Sequence, residues 1–202
     1  MTAPRLAVLA SGRGTNLQSI LDAAAHGSLG AKVVLAVSDR KGAPALQRAR
    51  RAGVSACFLD PSAVAGRAGY DRALCDLLLG HDVELVALAG FMRILGPDLI
   101  DRYPQRIMNV HPSLLPAFPG LNAPQQAIDH GVKVSGCTVH FIDHGIDTGP
   151  IILQEAVPVL PGDDAGALQR RIQVVEHRLF PQAIGLYSRG SLRIKGRQVD
   201  IV

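Results

Sequence analysis

The sequence predicts an α/β fold of three layers, in which helices cover both faces of a mostly parallel sheet of about seven strands. Short unbroken apolar runs such as residues 6–10 are typical of parallel strands buried on both faces. These runs alternate with segments of helical periodicity, the pattern of strand-helix-strand units with right-handed crossovers. With 202 residues and 48% hydrophobic content, the chain can bury one full core. We therefore expect a single domain over residues 1–202.

The N-terminal half alternates regularly between predicted strands and predicted helices. Strands are predicted over residues 6–10, 32–38, 56–59 and 84–89. Helices are predicted over residues 15–25, 44–52 and 70–79, followed by a short helix between Gly96 and about Arg102. Pro44 suits the first turn of its helix, where a backbone N–H has no partner in any case. This regular alternation predicts that the first half of the sheet is parallel.

The C-terminal half predicts a mixed sheet. A strand from Arg106 is followed by a proline-rich loop to Gly120 and a helix over 123–130. Strands over 137–142 and 150–159 have only the turn 143–149 between them, which favours antiparallel pairing. A long helix begins at Asp164, and we expect Pro181 to bend or end it. Two short strands, 191–195 and 198–202, are predicted to close the chain.

Charge and composition indicate which class of partner the protein binds. The net charge of +4 and the pI near 9.3 are compatible with nucleic-acid binding, but the arginines are scattered and aromatics make up only 4%. No stacking platform with a basic stripe is visible, so we expect small anionic ligands and no nucleic acid. The basic segment from Arg189 to Arg197 has the character of a solvated tail.

Cellular location is predicted from what the sequence lacks. No leader peptide and no apolar run of membrane-spanning length is recognisable, so we expect a cytoplasmic protein without membrane partners. The cysteines Cys57, Cys75 and Cys137 are far apart and show no C-x-x-C spacing, which indicates reduced, buried thiols. The sequence leaves open whether the protein is a monomer or a homodimer.

Asn109 and His111 end the strand that begins near Arg106. Side chains alternate across a strand, so these two share one face and Val110 points away. An amide donor beside a titratable ring suits a carbonyl that passes through a tetrahedral oxyanion. Asp147, in a glycine-bounded turn, would raise the pKa of His111 if it lay beside that ring. The alternative is a strand-end Asn and His that only satisfy loop backbone.

A second candidate site is the turn Ser11-Gly-Arg-Gly-Thr-Asn16, between the first strand and the first helix. Backbone N–H groups of Gly14, Thr15 and Asn16 would converge on an anion such as phosphate at the positive helix end. Leu17 stands where a dinucleotide fingerprint has its third glycine, and no lysine follows for a triphosphate loop. The alternative is a tight turn with a helix cap.

Taken together, these motifs resemble the folate-dependent formyltransferase family. The resemblance rests on Asn109-x-His111-Pro-Ser-Leu-Leu-Pro116, on Asp147-Thr-Gly-Pro150, which begins 36 positions after His111 (147 minus 111), and on the turn Ser11–Asn16. The turn is similar to that of the branch acting on glycinamide ribonucleotide, and the likeness runs from Arg5 to about Arg189. It implies a Rossmann-like fold and direct transfer of a formyl group from the co-substrate 10-formyltetrahydrofolate to the amine of glycinamide ribonucleotide, in purine biosynthesis.

The resemblance also implies roles for the candidate residues. Asn109 and protonated His111 would donate to the oxyanion, while Asp147 would keep His111 charged and move a proton through ordered water to the folate nitrogen. Gly14, Thr15 and Asn16 would hold the substrate phosphate. Glu176 would contact the same substrate, although a mid-helix glutamate is usually solvated surface.

Folate binding is implied for two further segments. The first segment comprises Met92, Arg93, Ile94 and Leu95, which would bind the edge of the pterin together with Arg67. The second is the loop of Asp143, His144, Gly145, Ile146 and Asp147, which would wrap the other side, with Asn109 nearby. By residue type alone, the first segment would be plain core and Arg67 a surface residue. The N-terminal half would thus bind phosphate, and the C-terminal half would bind folate and carry the catalytic groups.

Several alternatives stay open. A formyltetrahydrofolate hydrolase uses the same Asn, His and Asp with water as acceptor, but its relatives carry an extra N-terminal domain and this chain begins four residues before its first strand. Methionyl-tRNA formyltransferase would need a further C-terminal domain. In a non-enzymatic nucleotide-sensing module, the combination of Asn109, His111 and Asp147 would be accidental.

No metal site is expected, because His140 and His144 fall on a strand and a turn. Ser113 has no nucleophile elbow.

Two local features are left undecided. Residues 121–124, Leu-Asn-Ala-Pro, depart from relatives that carry a histidine there, which puts any substrate contact of this segment in doubt. The peptide bonds His111-Pro112 and Leu115-Pro116 are each compatible with a cis form.

Overall fold

Nine strands and six α-helices lie within residues 3–202, the part of the chain that the computed structural model describes. The strands are β1 (Arg5–Leu9), β2 (Lys32–Ser38), β3 (Ser55–Phe58), β4 (Leu85–Leu88), β5 (Ile107–His111), β6 (Val134–Phe141), β7 (Ile151–Pro158), β8 (Leu192–Lys195) and β9 (Gln198–Ile201). The helices are α1 (Thr15–Ala25), α2 (Pro44–Arg51), α3 (Gly66–Gly80), α4 (Pro97–Arg102), α5 (Ala123–Asp129) and α6 (Ala165–Ser188).

The main sheet has seven strands in the order β3-β2-β1-β4-β5-β6-β7. The pairs β1–β2, β1–β4 and β2–β3 are parallel, whereas β6–β7 is antiparallel. The predicted α/β class, the strand number and the antiparallel pairing in the C-terminal half are therefore confirmed. Strands β8 and β9 form the predicted closing hairpin as a separate two-stranded sheet.

The chain forms two compact units, Met1–Met108 and Asn109–Val202. The organisation as one domain stays a prediction. In the first unit, residues 6–9 of β1 and 85–87 of β4 are fully buried without alternation, as strands covered on both faces require. Helix α3 begins at Gly66, four residues before its predicted start at 70.

In the second unit, Pro181 does not end α6, whereas the alternative expectation of a bend there stays a prediction. The helix continues through Pro181 to Ser188. An internal proline costs about 3 kcal/mol because it removes one hydrogen bond and crowds the preceding turn. Phe180 and Ile184, on either side of it, are completely buried, and each apolar side chain of this size contributes about 1.5–3 kcal/mol on burial. Packing therefore offsets the proline.

Two further features complete the second unit. The Leu115-Pro116 peptide bond is cis, which settles a question that the sequence left open. Pro124 lies in the first turn of α5, and Asn122 caps that helix with a left-handed backbone. None of the helices within residues 3–202 is both long enough and apolar enough to cross a bilayer.

Candidate active site

The end of β5 directs Asn109 and His111 towards the same cluster of side chains in the second unit. Nδ2 of Asn109 lies 3.2 Å from Nε2 of His140, and Nδ1 of His111 lies 3.4 Å from Oδ2 of Asp147. Val110, between them, is buried and belongs to the opposite face of the strand. Asn109 and His111 are thus linked through His140 and Asp147, and their joint catalytic role stays a prediction.

Asp147 reaches this cluster from the turn between β6 and β7. Its backbone is left-handed, with φ of 53°. The backbone N–H of Gly120 donates to Oδ2 at 2.7 Å. A side chain at Gly149 would collide with the carbonyl of Phe141, so glycine lets the turn close tightly behind Asp147. Only 12% of the Asp147 side chain is exposed, so water screens its charge weakly.

His140, to which sequence reasoning assigned no role, lies between Asn109 and Asp147. Its ring is completely buried, and Nε2 is 3.6 Å from Oδ1 of Asp147. Nδ1 lies 2.8 Å from the Phe141 carbonyl. A carbonyl only accepts, so Nδ1 carries hydrogen. In the neutral ring Nε2 therefore accepts from Asn109, and in the charged ring it donates to Asp147. The sequence feature that could have identified His140 is a polar ring within an apolar strand, because a buried polar ring needs hydrogen-bond partners.

The protonation of His111 differs from the prediction. Nε2 lies 2.8 Å from the Phe118 carbonyl, so this nitrogen donates and the proton that titrates is the one on Nδ1. Burial lowers the pKa of His111 by more than the charge of Asp147 and the hydrogen bond to Phe118 raise it. The net pKa lies below the ordinary value. The predicted upward effect of Asp147 on this pKa is present, but desolvation of the buried imidazolium outweighs it, so the net pKa does not rise as the predicted charged ring requires.

Asp147 is held ionised. Burial alone would raise its pKa. The hydrogen bonds from His140 and Gly120 and the charges of the two rings lower the pKa by more than burial raises it, so the net pKa lies below the ordinary value. A carboxylate at neutral pH thus lies between two imidazoles whose outer nitrogens each donate to a backbone carbonyl. This arrangement can take up and release a proton without moving any backbone.

The loop after β5 is held by a buried polar network. Thr138 Oγ1 donates to the Ser113 carbonyl at 2.7 Å and accepts from the N–H of Leu115 at 3.0 Å. Gln154 Nε2 donates to the Leu115 carbonyl at 2.8 Å and to Thr138 at 2.9 Å. Ser113 Oγ donates to the Ala117 carbonyl at 2.5 Å. The role of Ser113 is thus to shape the loop that carries the Phe118 carbonyl.

In the first unit, the turn Ser11–Asn16 leads into α1 through Gly14. Gly14 has φ of 72°, and a Cβ there would lie 2.7 Å from Cα and Cβ of Ala45. Arg48 Nε donates to the Arg13 carbonyl at 2.9 Å, and Ala45 N–H donates to the Gly12 carbonyl at 3.3 Å. Helix α2 therefore supports the turn. No side chain caps the start of α1, so Thr15 and Asn16 begin the helix at its positive end.

The predicted folate segment lies against this same turn. The N–H of Ser11 donates to the Gly90 carbonyl at 3.1 Å, and the N–H of Met92 donates to Ser11 Oγ at 2.9 Å. Met92 and Ile94 are exposed, at 56% and 61%, whereas Leu95 is buried. The segment is thus no plain core. Two large apolar side chains in solvent are typical of a surface that binds a flat apolar ligand.

The two arginines of the predicted folate site have defined contacts. The guanidinium of Arg93 lies over the ring of Tyr70, 4.4 Å from its centre. Arg67 donates from its terminal nitrogen to the Leu95 carbonyl. Arg67 is therefore tied to the 92–95 segment. Contacts of both residues with folate stay predictions.

The loop 143–147 is folded on itself. Oδ1 of Asp143 accepts from the N–H of Gly145 at 3.0 Å and from Thr148 Oγ1 at 2.6 Å. Ile146 is 58% exposed, and His144 is also exposed. This loop thus presents an apolar side chain next to Asp147.

Glu176 is buried in α6, with 4% of its surface exposed. The expectation that a mid-helix glutamate is solvated does not apply here. Burial of the Cys137 thiol raises the pKa of that thiol, and the charge of Glu176 raises it further.

Cys137 is fully buried, whereas Cys57 and Cys75 are only half-buried. The prediction of buried thiols is therefore right for one cysteine of three. The described residues contain no group of three or more His, Cys, Asp or Glu arranged to hold a metal ion.

Comparison with known proteins relates the chain to one family. Residues 4–184 match the formyl transferase family. The phosphoribosylglycinamide formyltransferase of Bacillus subtilis is 40% identical over 190 residues, covering 92% of this chain and 97% of that protein. The crystal structure of glycinamide ribonucleotide transformylase 1 from Symbiobacterium toebii superposes with a TM-score of 0.98 at 53% identity, covering 100% of this chain and 95% of that one.

Some relatives are much longer. The trifunctional purine biosynthetic protein adenosine-3 of Drosophila pseudoobscura pseudoobscura is 46% identical over 191 residues, which cover 94% of this chain. The chain spans only 14% of the length of that relative.

Proposed function

The chain belongs to the formyl transferase family, and on this premise we propose that it transfers the formyl group of 10-formyltetrahydrofolate to the amine of glycinamide ribonucleotide in purine biosynthesis. The observation that carries the proposal is the convergence of Asn109, His111 and Asp147 from two distant segments, with His140 linking Asn109 to Asp147. Folate is consumed as a co-substrate, no metal takes part, and the partners are small molecules in the cytoplasm. The names of the relatives support the ribonucleotide as acceptor and the formyl group as the group transferred.

Asn109 is the proposed oxyanion donor. One hydrogen of its amide is directed to Nε2 of His140, and the other remains for the formyl oxygen. The amine attacks the formyl carbon directly, and the carbonyl oxygen becomes negative in the tetrahedral intermediate. A donor already oriented towards that oxygen stabilises the intermediate more than the substrate, which is what lowers a barrier.

His111 and Asp147 are the proposed proton carriers. When the amine bonds to the formyl carbon it loses one proton, and when the bond from carbon to the folate nitrogen breaks, that nitrogen gains one. The neutral His111 favoured by burial takes up the proton as the oxyanion develops, because nearby negative charge raises its pKa. Asp147 stabilises the imidazolium from 3.4 Å, and the proton then passes to the folate nitrogen.

Substrate binding is proposed for the surrounding segments, each within its own unit. The start of α1, at Gly14, Thr15 and Asn16, would bind the ribonucleotide phosphate through backbone N–H groups. Met92 to Leu95, with Arg67, would bind the pterin of folate. In the second unit, the loop 143–147 would contact folate and Glu176 would contact the ribonucleotide.

One assay tests the proposal. Purified protein is mixed with 10-formyltetrahydrofolate, and release of tetrahydrofolate is followed with glycinamide ribonucleotide, without it, and with the same compound lacking its phosphate. We expect release only with an amine acceptor, and a KM at least tenfold higher without the phosphate, since one charge-assisted contact is worth about 1.5–3 kcal/mol. Release without any amine would instead identify a hydrolase, and no release under any condition would overturn the proposal.

A further inference from the structure

The first two turns of α3 present three side chains to the segment that the proposed function assigns to the pterin. Residues 67, 70 and 71 are spaced three and four positions apart, so they lie on one face of the helix. Arg67 contacts Leu95, Tyr70 contacts Arg93, and Asp71 lies against Gly96, the residue directly after the segment. We call these three residues the α3 cradle. Its contacts lie at positions 93, 95 and 96.

Asp71 forms the most constrained contact of the cradle. Only 4% of it is exposed, and its carboxylate lies against the backbone of Gly96. A Cβ at position 96 would collide with Oδ2 of Asp71, so glycine allows this close approach. Nε of Arg67 lies 3.9 Å from the same oxygen. A buried carboxylate is costly without partners, and both partners of Asp71 also shape the 92–96 backbone.

Tyr70 contacts the segment at Arg93. Its ring is almost completely buried, and its face carries the guanidinium of Arg93 at 4.4 Å. Stacking of this kind contributes about 0.5–2 kcal/mol, depending on how far the cation is removed from water. The hydroxyl of Tyr70 is buried and has no hydrogen-bond partner among residues 3–202. The ring face, and not the hydroxyl, is therefore what holds Arg93.

We propose that Tyr70 and Asp71 are positioning residues, which hold residues 92–96 in the shape that binds the pterin of the folate co-substrate. The inference rests on the proposed function, because it takes folate as the ligand of this segment. A segment already held in its bound shape loses less conformational entropy on binding. Loosening the cradle should therefore weaken folate binding, with little effect on the formyl-transfer step or on the ribonucleotide.

The test compares disruptive with conservative substitutions. For Asp71→Ala and Tyr70→Leu we expect the KM for 10-formyltetrahydrofolate to rise about tenfold, the effect of losing roughly one hydrogen bond or one stacked cation. The kcat and the KM for glycinamide ribonucleotide should stay within about twofold. Tyr70→Phe keeps the ring face and should behave as the wild type, and Asp71→Asn keeps an acceptor and should rescue most of the loss.

A control on the same helix distinguishes the proposed positioning role from a merely structural one. Leu78, which is completely buried in α3, contributes to packing and lies outside the cradle, so Leu78→Ala should lower the melting temperature without changing the KM for folate. A rise in that KM for Leu78→Ala equal to the rise for Asp71→Ala would overturn the inference. So would unchanged folate kinetics in both disruptive variants.

Binding of tetrahydrofolate, measured by calorimetry, separates this inference from the proposed function. If the wild type binds tetrahydrofolate and Asp71→Ala binds it about tenfold more weakly, the cradle is supported even in a protein that transfers no formyl group. If the wild type transfers formyl and all cradle variants bind tetrahydrofolate equally well, the cradle is wrong and the proposed function stands. If the wild type binds no folate, both fail.

Discussion

Nδ1 of His111 lies 3.4 Å from Oδ2 of Asp147, while Nε2 of the same ring donates to the Phe118 carbonyl at 2.8 Å. One nitrogen is therefore committed to the backbone, and only the other can exchange a proton with its surroundings. Burial favours the neutral ring and the carboxylate favours the charged ring. Negative charge that develops in a bound substrate would add to the effect of the carboxylate and favour the charged ring.

Replacing His111 should remove the proposed proton carrier. For His111→Ala we expect kcat to fall about a hundredfold or more, the usual loss for a general acid or base, with both KM values nearly unchanged. Steady-state kinetics on the purified variant measure this. His26→Ala, at an exposed position on the C-cap of α1, is the matched control and should keep full activity. Turnover close to wild type in His111→Ala would remove this residue from the chemistry.

Asp147→Asn keeps the size of the side chain and an acceptor for the Gly120 N–H, but removes the negative charge. We expect kcat to fall about a hundredfold or more, because the imidazolium formed during the reaction loses its partner. Substrate binding should be mostly retained. The exposed Asp129→Asn, on α5, provides a charge-matched control. If both aspartate variants turned over at the wild-type rate, the role of Asp147 would be refuted.

His140→Phe tests the residue that the structure added to the site. A phenyl ring fits the space of the imidazole approximately but gives neither an acceptor for Asn109 nor a donor for Asp147. Both neighbours lose orientation, and we expect kcat to fall roughly tenfold to a hundredfold, comparable to the loss of one oxyanion donor. A thermal melt of the variant controls for folding. A folded His140→Phe enzyme with normal kcat would show that His140 only fills space.

The pKa of His111 should lie below 6.5, and NMR titration of the imidazole can measure it. Because the charge of Asp147 raises this pKa, we expect a still lower value in Asp147→Asn. A higher value in that variant would mean that the two side chains do not interact.

Stability should follow the same pKa. Between the folded pKa and the ordinary value of 6.5 the unfolded chain binds the proton more readily, so the stabilising contribution is full above pH 6.5 and is lost as pH falls through the folded pKa. Urea unfolding of the wild type should therefore give a smaller free energy at pH 5 than at pH 7.5. In His111→Ala this part of the loss should be absent, and an identical pH dependence in both proteins would contradict it.

Gly14→Ala should disturb the turn before α1 in two ways. The new Cβ would lie 2.7 Å from Ala45, and the left-handed backbone strains any side chain. We expect a loss of about 1–3 kcal/mol in the free energy of unfolding and a higher KM for glycinamide ribonucleotide. Gly12→Ala, which has no atom within 4 Å of its added Cβ, is the control in the same turn. Equal effects of the two substitutions would argue against a special role for Gly14.

Local sequence pattern was sufficient for most of the fold. Each predicted strand and helix is present, with ends shifted by a few residues, because apolar runs and helical periodicity are properties of short segments. The continuation of α6 through Pro181 has a different origin. Proline disfavours a helix locally, but the burial of Phe180 and Ile184 depends on what α6 packs against.

The sequence by itself determined the fold class, the family resemblance and the common strand face of Asn109 and His111, which follows from alternation along one strand. Only the tertiary structure decided that His140 completes this cluster, that burial lowers the pKa of His111, and that α3 contacts the 92–96 segment. Burial and desolvation depend on all the neighbours of a side chain at once, and those neighbours come from distant parts of the chain.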